Sequence, residues 1–209
     1  MNETLEIFDR QGNLLESMDR EAFYQEIKEE YKNKGSISKQ VKSIRLVLMN
    51  SDGRIYLQKR SKIKAQNPGL YDKTVGGHVA ARQTWEIAVI KECAEELGFP
   101  AAVLTPPEFD HAVRVTDLKV VGLFREVDYK SNYQSTRIEN NQTFVQPFMT
   151  KFYIGYYDGS IKFSDGESSG IEVFSLEELK EELANNPNKF TEDVKFILQN
   201  YEGFLTPIK

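Results

Sequence analysis

The chain has 209 residues, 40% of them apolar, and a formal net charge of −5 at pH 7. That length suits one domain with an extension, and the apolar share suffices for one large core; the acidic balance argues against a broad nucleic-acid-binding surface while leaving room for a local basic pocket. The single cysteine excludes an internal disulfide and a cysteine-built zinc cage.

The first residues, Met1 to Glu6, lack a basic region followed by an apolar run, and no stretch approaches membrane-spanning length, so a soluble cytoplasmic protein is expected. Thr4 to Phe8, a polar turn through Asp9 to Asn13, and Leu14 to Glu16 read as a short hairpin. Asp19 then caps a helix running to about Asn33, with Phe23, Ile27 and Tyr31 spaced four apart as its buried stripe and Gly35 as its stop. Residues 1–35 are therefore expected to form an appended hairpin and helix, serving as a lid or dimer arm, beside a main domain of residues 36–205.

From Val41 the pattern becomes β-rich. Ser43 to Met49, the turn Asn50-Ser51-Asp52-Gly53 and Arg54 to Arg60 predict a hairpin. After the loop at Asn67-Pro68-Gly69, Tyr71 to Val75 predicts a strand leading into Gly76-Gly77. Helix signals resume at Thr84, with Trp85, Ala88, Val89 and Cys93 packing inward and Gly98 ending the run; Cys93 reads as an apolar filler rather than a reactive thiol.

Further strands are expected at Leu118 to Val127, Val145 to Tyr157, Ile161 to Phe163 and Ile171 to Phe174. Between the first two, Asp128 to Thr143 is polar and asparagine-rich, and is expected to be a long loop, mobile or in contact with a partner. Ser175 with Glu178 forms a capping box for a helix to about Ala184, and Thr191 starts a last helix ending near Tyr201. This ordering implies a mixed sheet between helical layers.

The chemistry concentrates between Gly77 and Phe99. Residues three and four apart share one face of an α-helix, so Glu92, Glu95 and Glu96 are expected to converge within one turn, where like charges repel unless a cation lies between them. Oxygen-only ligands of this kind suit Mg²⁺ or Mn²⁺.

The stretch resembles the Nudix box, G-x5-E-x7-R-E-U-x-E-E-x-G-U, where U is a bulky apolar residue. Gly77 opens it, Glu92, Glu95 and Glu96 are its acids, Cys93 holds the first U position and Gly98-Phe99 closes it. Gln83 and Lys91 stand where the family has a glutamate and an arginine that commonly meet as an ion pair beneath the metal site. A neutral amide opposite a lysine keeps hydrogen bonding but loses the planar arginine fork. The resemblance, over roughly Val41 to Tyr201, implies an α/β/α sandwich with a mixed sheet and a hydrolase cleaving a nucleoside diphosphate linked to another group by water attack on phosphorus.

The resemblance also implies site residues. Glu92, Glu95 and Glu96 would bind the metal, with Glu92 and Glu96 central to catalysis and the Gly76 carbonyl completing the inner shell. Glu167 lies in a stretch similar to the one that precedes a strand and a Leu-Glu-Glu-Leu helix in the family, where it would be a metal ligand or the general base; the plain alternative is a turn residue of Asp165-Gly166-Glu167. Arg60 matches an arginine that grips substrate phosphates in relatives, and Lys64 and Lys73 flank the same loop, solvent exposure being the alternative for each lysine. Phe144, Phe148, Phe152, Tyr153, Tyr156 and Tyr157 suit core positions on a strand as well as base stacking, and none is assigned to substrate.

Tyr71 to His78, together with the N-terminal hairpin and helix, is similar to the isopentenyl diphosphate isomerase branch of the same superfamily. Those isomerases place a cysteine where Gly76 stands and bind metal through several histidines, whereas this chain has only His78 and His111. Shifting a double bond needs a proton donor and acceptor on opposite faces of the carbon skeleton, and no thiol is positioned to serve. The reading is an isomerase-like hydrolase acting on a small-molecule diphosphate, without nucleic-acid or membrane partners and with a homodimer through the N-terminal piece as a reasonable arrangement. An isomerase and a catalytically weakened nucleotide-binding sensor are its alternatives.

Overall fold

The spine of the molecule is β3, Lys39–Met49, whose nearly uninterrupted burial follows from cover on both faces. In the computed structural model, which describes residues 3–139, 142–162 and 168–209, one edge of β3 runs parallel to β9 (Gln142–Tyr156). Its other edge is shared in turn by β1 (Thr4–Asp9), β6 (Val75–His78) and β4 (Ile55–Arg60), all antiparallel. Because β4 touches β3 only at Leu48 and Met49 before the two diverge, the sheet opens there. β2 (Leu14–Asp19), β5 (Tyr71–Asp72), β7 (Ala101–Leu104), β8 (Gly122–Glu139) and β10 (Ser168–Phe174) complete a mixed ten-stranded sheet.

Alternation along β3 sends its two sets of side chains to different helices. Ile44, Leu46 and Leu48 pack with Ala88 and Val89 of α2 (Trp85–Glu92), and with Cys93 and Leu97 just beyond it. Val47 and Met49 pack with Val194, Ile197 and Leu198 of α5 (Glu192–Tyr201) and Leu179 of α4 (Leu176–Asn185). Val41 meets Phe23 and Ile27 of α1 (Arg20–Lys34). The result is the mixed sheet between helices that the element order implied. No helix among the described residues is long and apolar enough to cross a membrane.

Local capping chemistry sets several boundaries as expected. Asp19 accepts from the backbone N–H groups of Glu21 and Ala22, Gly35 ends α1 at φ 69°, and Ser175 and Glu178 form a reciprocal capping box at α4. The N-terminal hairpin is also present, and β1 joins the main sheet directly through β3.

Three expectations are corrected, and one helix is added. Asp128 to Thr143 is not a long loop: β8 continues to Glu139 and β9 begins at Gln142, with pairing kept from Tyr133↔Phe148 to Glu139↔Gln142. Its polarity belongs to the solvent side, while Tyr133 and Ser135 are buried on the other, and bulges beside Glu126 and Lys130 blur the alternation. The strand expected over Tyr71 to Val75 breaks between β5 and β6, where the Thr74 hydroxyl accepts from Leu48 N–H at 2.9 Å and donates to the Tyr56 carbonyl, bridging β3 and β4 as they part. α3 (Pro106–Val115) was not anticipated, although Thr105 and Glu108 form a capping box and proline begins the helix. Ile161 and Lys162 lie outside any strand, Lys162 N–H donating to Leu97 O at 3.0 Å, while Phe163 falls outside the described residues.

Candidate active site

The turn from β6 into α2 is shaped by two glycines with close neighbours. A Cβ on Gly77 would collide with the Glu92 carboxylate, and one on Gly76 would collide with the Lys73 side chain. Glu92 thus lies directly against the backbone of the turn. Beyond it the helix changes character: Cys93–Leu97 forms a π-helical turn, closed by the Gly98 N–H donating to the Cys93 carbonyl with Gly98 at φ 75°.

Glu95 and Glu96 both lie on this turn. Residues four apart are neighbours along this face, which pairs Glu96 with Glu92 and Glu95 with Lys91, while the Glu95 charge still acts on Glu92. Glu92 and Glu96 share a hydrogen bond, and Glu95, 62% exposed, pairs with Lys91 at 3.7 Å. Among the described residues no group of three or more His, Cys, Asp or Glu side chains is assembled as a metal cage. Burial pushes the Glu92 carboxyl above its ordinary range, against the opposing influence of the bond to Glu96 and the Lys91 charge. Two carboxyls held this way need a shared proton or a cation between them, and their all-oxygen chemistry fits a hard divalent ion.

The basic side of the site rests on a buried network. Asp193 accepts from Arg45 Nε at 2.9 Å, from Lys73 Nζ at 2.8 Å and from the Tyr133 hydroxyl at 2.8 Å. Arg45 also donates to Ser43 and Thr150, and its guanidinium lies 4.5 Å from the Tyr133 ring centroid. Asp72 extends the network: it pairs with Lys73 at 3.2 Å and with Arg60 at 3.3 Å, and accepts from the Thr191 hydroxyl at 2.8 Å. Arg60 donates a further bond to Gln66 O at 3.0 Å.

Lys73 and Arg60 are therefore anchored from below by aspartates. A charged residue inside the apolar run Ile44-Arg45-Leu46 was the one sequence sign of this network. Asp193 gave none, since it reads as an ordinary acid in the first turn of a helix.

Glu92, Glu95, Glu96, Gly76, Arg60, Lys64 and Lys73 all line one cavity of about 630 Å³. Glu167 lies outside the described residues. The cavity also recruits residues that sequence reasoning missed: Arg20, Tyr24 and Lys28 from α1, and Arg137 from β8. The N-terminal extension thus forms part of the cleft wall. His78, at its floor, lies 2.8 Å from the Tyr24 hydroxyl through Nε2. Burial, reinforced by Arg20, Arg137 and Arg45, holds its imidazole well below the ordinary histidine range, so it is neutral at pH 7.

Comparison with known proteins gives a consistent picture. The NUDIX domain family model matches residues 39–194. An isopentenyl-diphosphate Delta-isomerase of Salmonella paratyphi B is 37% identical over 70 residues, a stretch covering 34% of this chain and 39% of that protein, so the match spans well under half the length of such curated relatives. The crystal structure of DR0079 from Deinococcus radiodurans aligns with a TM-score of 0.62 at 19% identity, covering 95% of this chain and 99% of that one. A MutT protein from Methanosarcina mazei Go1 aligns with a TM-score of 0.51 at 18% identity, covering 78% and 92% of the two chains. At those identities the solved structures speak to the fold.

Proposed function

The chain belongs to the Nudix family, and on that premise we propose that it hydrolyses the diphosphate linkage of a nucleoside diphosphate derivative with Mg²⁺ or Mn²⁺. The observation that carries this reading is the Glu92–Glu96 carboxyl pair, set against the Gly76–Gly77 turn in the same cavity as Arg60 and Lys64. Glu92 and Glu96 would hold the ion together with the Gly76 carbonyl, and Glu95 would join them on releasing Lys91. When bound, such an ion neutralises diphosphate oxygens and lowers the pKa of a coordinated water.

The remaining work falls to the protein. Arg60 and Lys64 bind phosphate oxygens and orient the scissile bond, Lys73 contributes its charge from beneath Gly76, and Glu167, as the resemblance implies, would serve as a metal ligand or as the general base.

The isomerase relative motivates a second reading, but the cleft does not favour it. The position that carries the isomerases' cysteine is Gly76 here, and the chain's sole thiol, Cys93, is buried in the core with burial pushing its pKa up. The test is a panel of nucleoside diphosphate derivatives with Mg²⁺ or Mn²⁺, read by release of a nucleoside monophosphate. Glu96→Gln is expected to lower turnover by orders of magnitude while leaving the unfolding temperature near that of the parent; equal turnover removes Glu96 from the mechanism. Rearrangement of isopentenyl diphosphate would establish the isomerase instead, and tight binding without turnover would establish a sensor.

A further inference from the structure

One face of α1 carries Arg20, Tyr24 and Lys28 at intervals of four residues, and all three line the cavity that holds Glu92 and Glu96. Arg137 on β8 lines it too. Its guanidinium lies 5.1 Å from the Phe148 ring centroid and donates to the neutral amide oxygen of Gln66 at 2.6 Å. Among the described residues no carboxylate lies within ion-pair distance of Arg137. Two backbone-anchored bonds of 2.9 Å between Asn67 and Ile138 fix this part of β8 to the loop after β4, so Arg137 is held in place rather than swinging freely.

The α1 cations are held loosely by comparison. Arg20 meets Glu3 at 3.3 Å and Lys28 meets Glu139 at 2.7 Å; the two basic side chains are 51% and 47% exposed, while the carboxylates, which line the same cavity, are 22% and 18% exposed. With their own side chains about half exposed, Arg20 and Lys28 keep N–H groups open to the cavity for an incoming dianion beside these carboxylates. A stacked guanidinium with a neutral partner is likewise a ready fork for an oxyanion.

Nucleobase recognition has little to work with on this wall. Tyr24 and His78 are its rings, and they are hydrogen-bonded to each other with their planes 70° apart, which leaves no parallel pair to sandwich a base. We propose that Arg20, Tyr24, Lys28 and Arg137 form a second anion subsite, which takes a phosphoryl group borne by the substrate in addition to its diphosphate. This inference rests on the hydrolase reading above and narrows its substrate class to diphosphates carrying a further phosphate.

The test reads binding, so it does not depend on turnover. Protein saturated with methylenediphosphonate and Mg²⁺ is titrated calorimetrically with inorganic phosphate, and ADP-ribose is compared with ADP-ribose 2′-phosphate, which differs by one phosphate. One additional phosphate should bind per chain, and the phosphorylated ligand should bind at least about tenfold more tightly than its partner, as charge-assisted hydrogen bonds imply. The affinity for the added phosphate and the preference for the phosphorylated ligand should each fall about tenfold in Arg137→Gln and in Lys28→Gln, the latter altering a half-exposed side chain.

Absence of a second phosphate overturns the proposal, as does equal binding of the two ligands or a preference that neither variant changes. Phosphate uptake without discrimination between the ligands would mark a free-phosphate site and equally overturn it. Failure of every diphosphate to turn over would instead overturn the hydrolase reading, with the binding result still legible.

Discussion

Replacing Asp193 by asparagine, at nearly constant volume, tests how the floor of the cleft is held. Asp193, Arg45 and Lys73 are 8%, 3% and 11% exposed, and the carboxylate accepts at 2.8–2.9 Å from both cations and from Tyr133. Breaking a buried pair from one side leaves the other charges uncompensated, which costs about 3–5 kcal/mol, against roughly 0–1 kcal/mol for an exposed pair. For a chain of this size, each kcal/mol lowers the unfolding midpoint by about 2–4 °C, so a fall of about 6–20 °C is expected.

The same substitution has a pH signature. Burial alone would raise the Asp193 carboxyl, but Arg45 and Lys73 overcome it and hold the group well below the ordinary value of 3.8. A depressed folded-state pKa contributes stability above the unfolded-state value and loses it as pH falls below that value. The gap between parent and variant should therefore be complete at pH 7 and shrink as pH drops below 3.8. Urea unfolding at several pH values, with unchanged m, measures it. A loss under about 1 kcal/mol at pH 7, as for an exposed pair, or a gap independent of pH would refute the reasoning. Because Lys73 packs against Gly76, turnover should fall together with stability.

Gly77→Ala would place a methyl group in the Glu92 carboxylate; the displaced acid should lower turnover by about a hundredfold, and parental kinetics would show that Glu92 is not needed where it sits. Chelation should abolish turnover, and Mg²⁺ added to metal-free protein should raise its unfolding temperature, since anything bound by the folded state alone stabilises it. The same shift in Glu96→Gln as in the parent would place the ion elsewhere. Cys93, buried and with its thiol pushed up by burial, should resist iodoacetamide in the native protein and react in urea; stoichiometric native labelling would contradict the packed position.

What the sequence revealed was mostly local. Asp19, Gly35, Ser175 and Glu178 act on backbone groups a few residues away, so the ends of α1 and the start of α4 could be read directly. The long β8–β9 hairpin was hidden because its polar side faces water, and its buried side is supplied by Tyr133 and Ser135 rather than an apolar run. The glutamates of the motif were identifiable as a cluster and all three line the cavity, but the π turn that carries Glu95 and Glu96 left no mark in the residue spacing. Arg45 and Asp193 are 148 positions apart, and only the fold brings them together.

The two departures from the family motif find a physical setting in the N-terminal strand. Lys91 turns to Glu95, so support beneath the turn does not come from a Gln83–Lys91 pair. Instead β1 grips the loop between β6 and α2 from outside: Leu5 bridges to Ala80, Ala81 N–H donates to Thr4 O at 2.8 Å, and Arg82 N–H donates to the Glu6 carboxylate at 3.3 Å. Arg82 adopts φ 66°, a left-handed conformation uncommon outside glycine, so that contact meets the loop at its most constrained point. Lys42 in turn holds Glu6 at 2.9 Å, and its carbonyl accepts from Val79 N–H at 3.1 Å. The loop is thereby fastened to β1 and β3 at successive residues, Val79 to Arg82. The N-terminal segment thus touches both the cavity wall, through Arg20, Tyr24 and Lys28 of α1, and the loop before α2, through Thr4, Leu5 and Glu6 of β1, so one element spans the two.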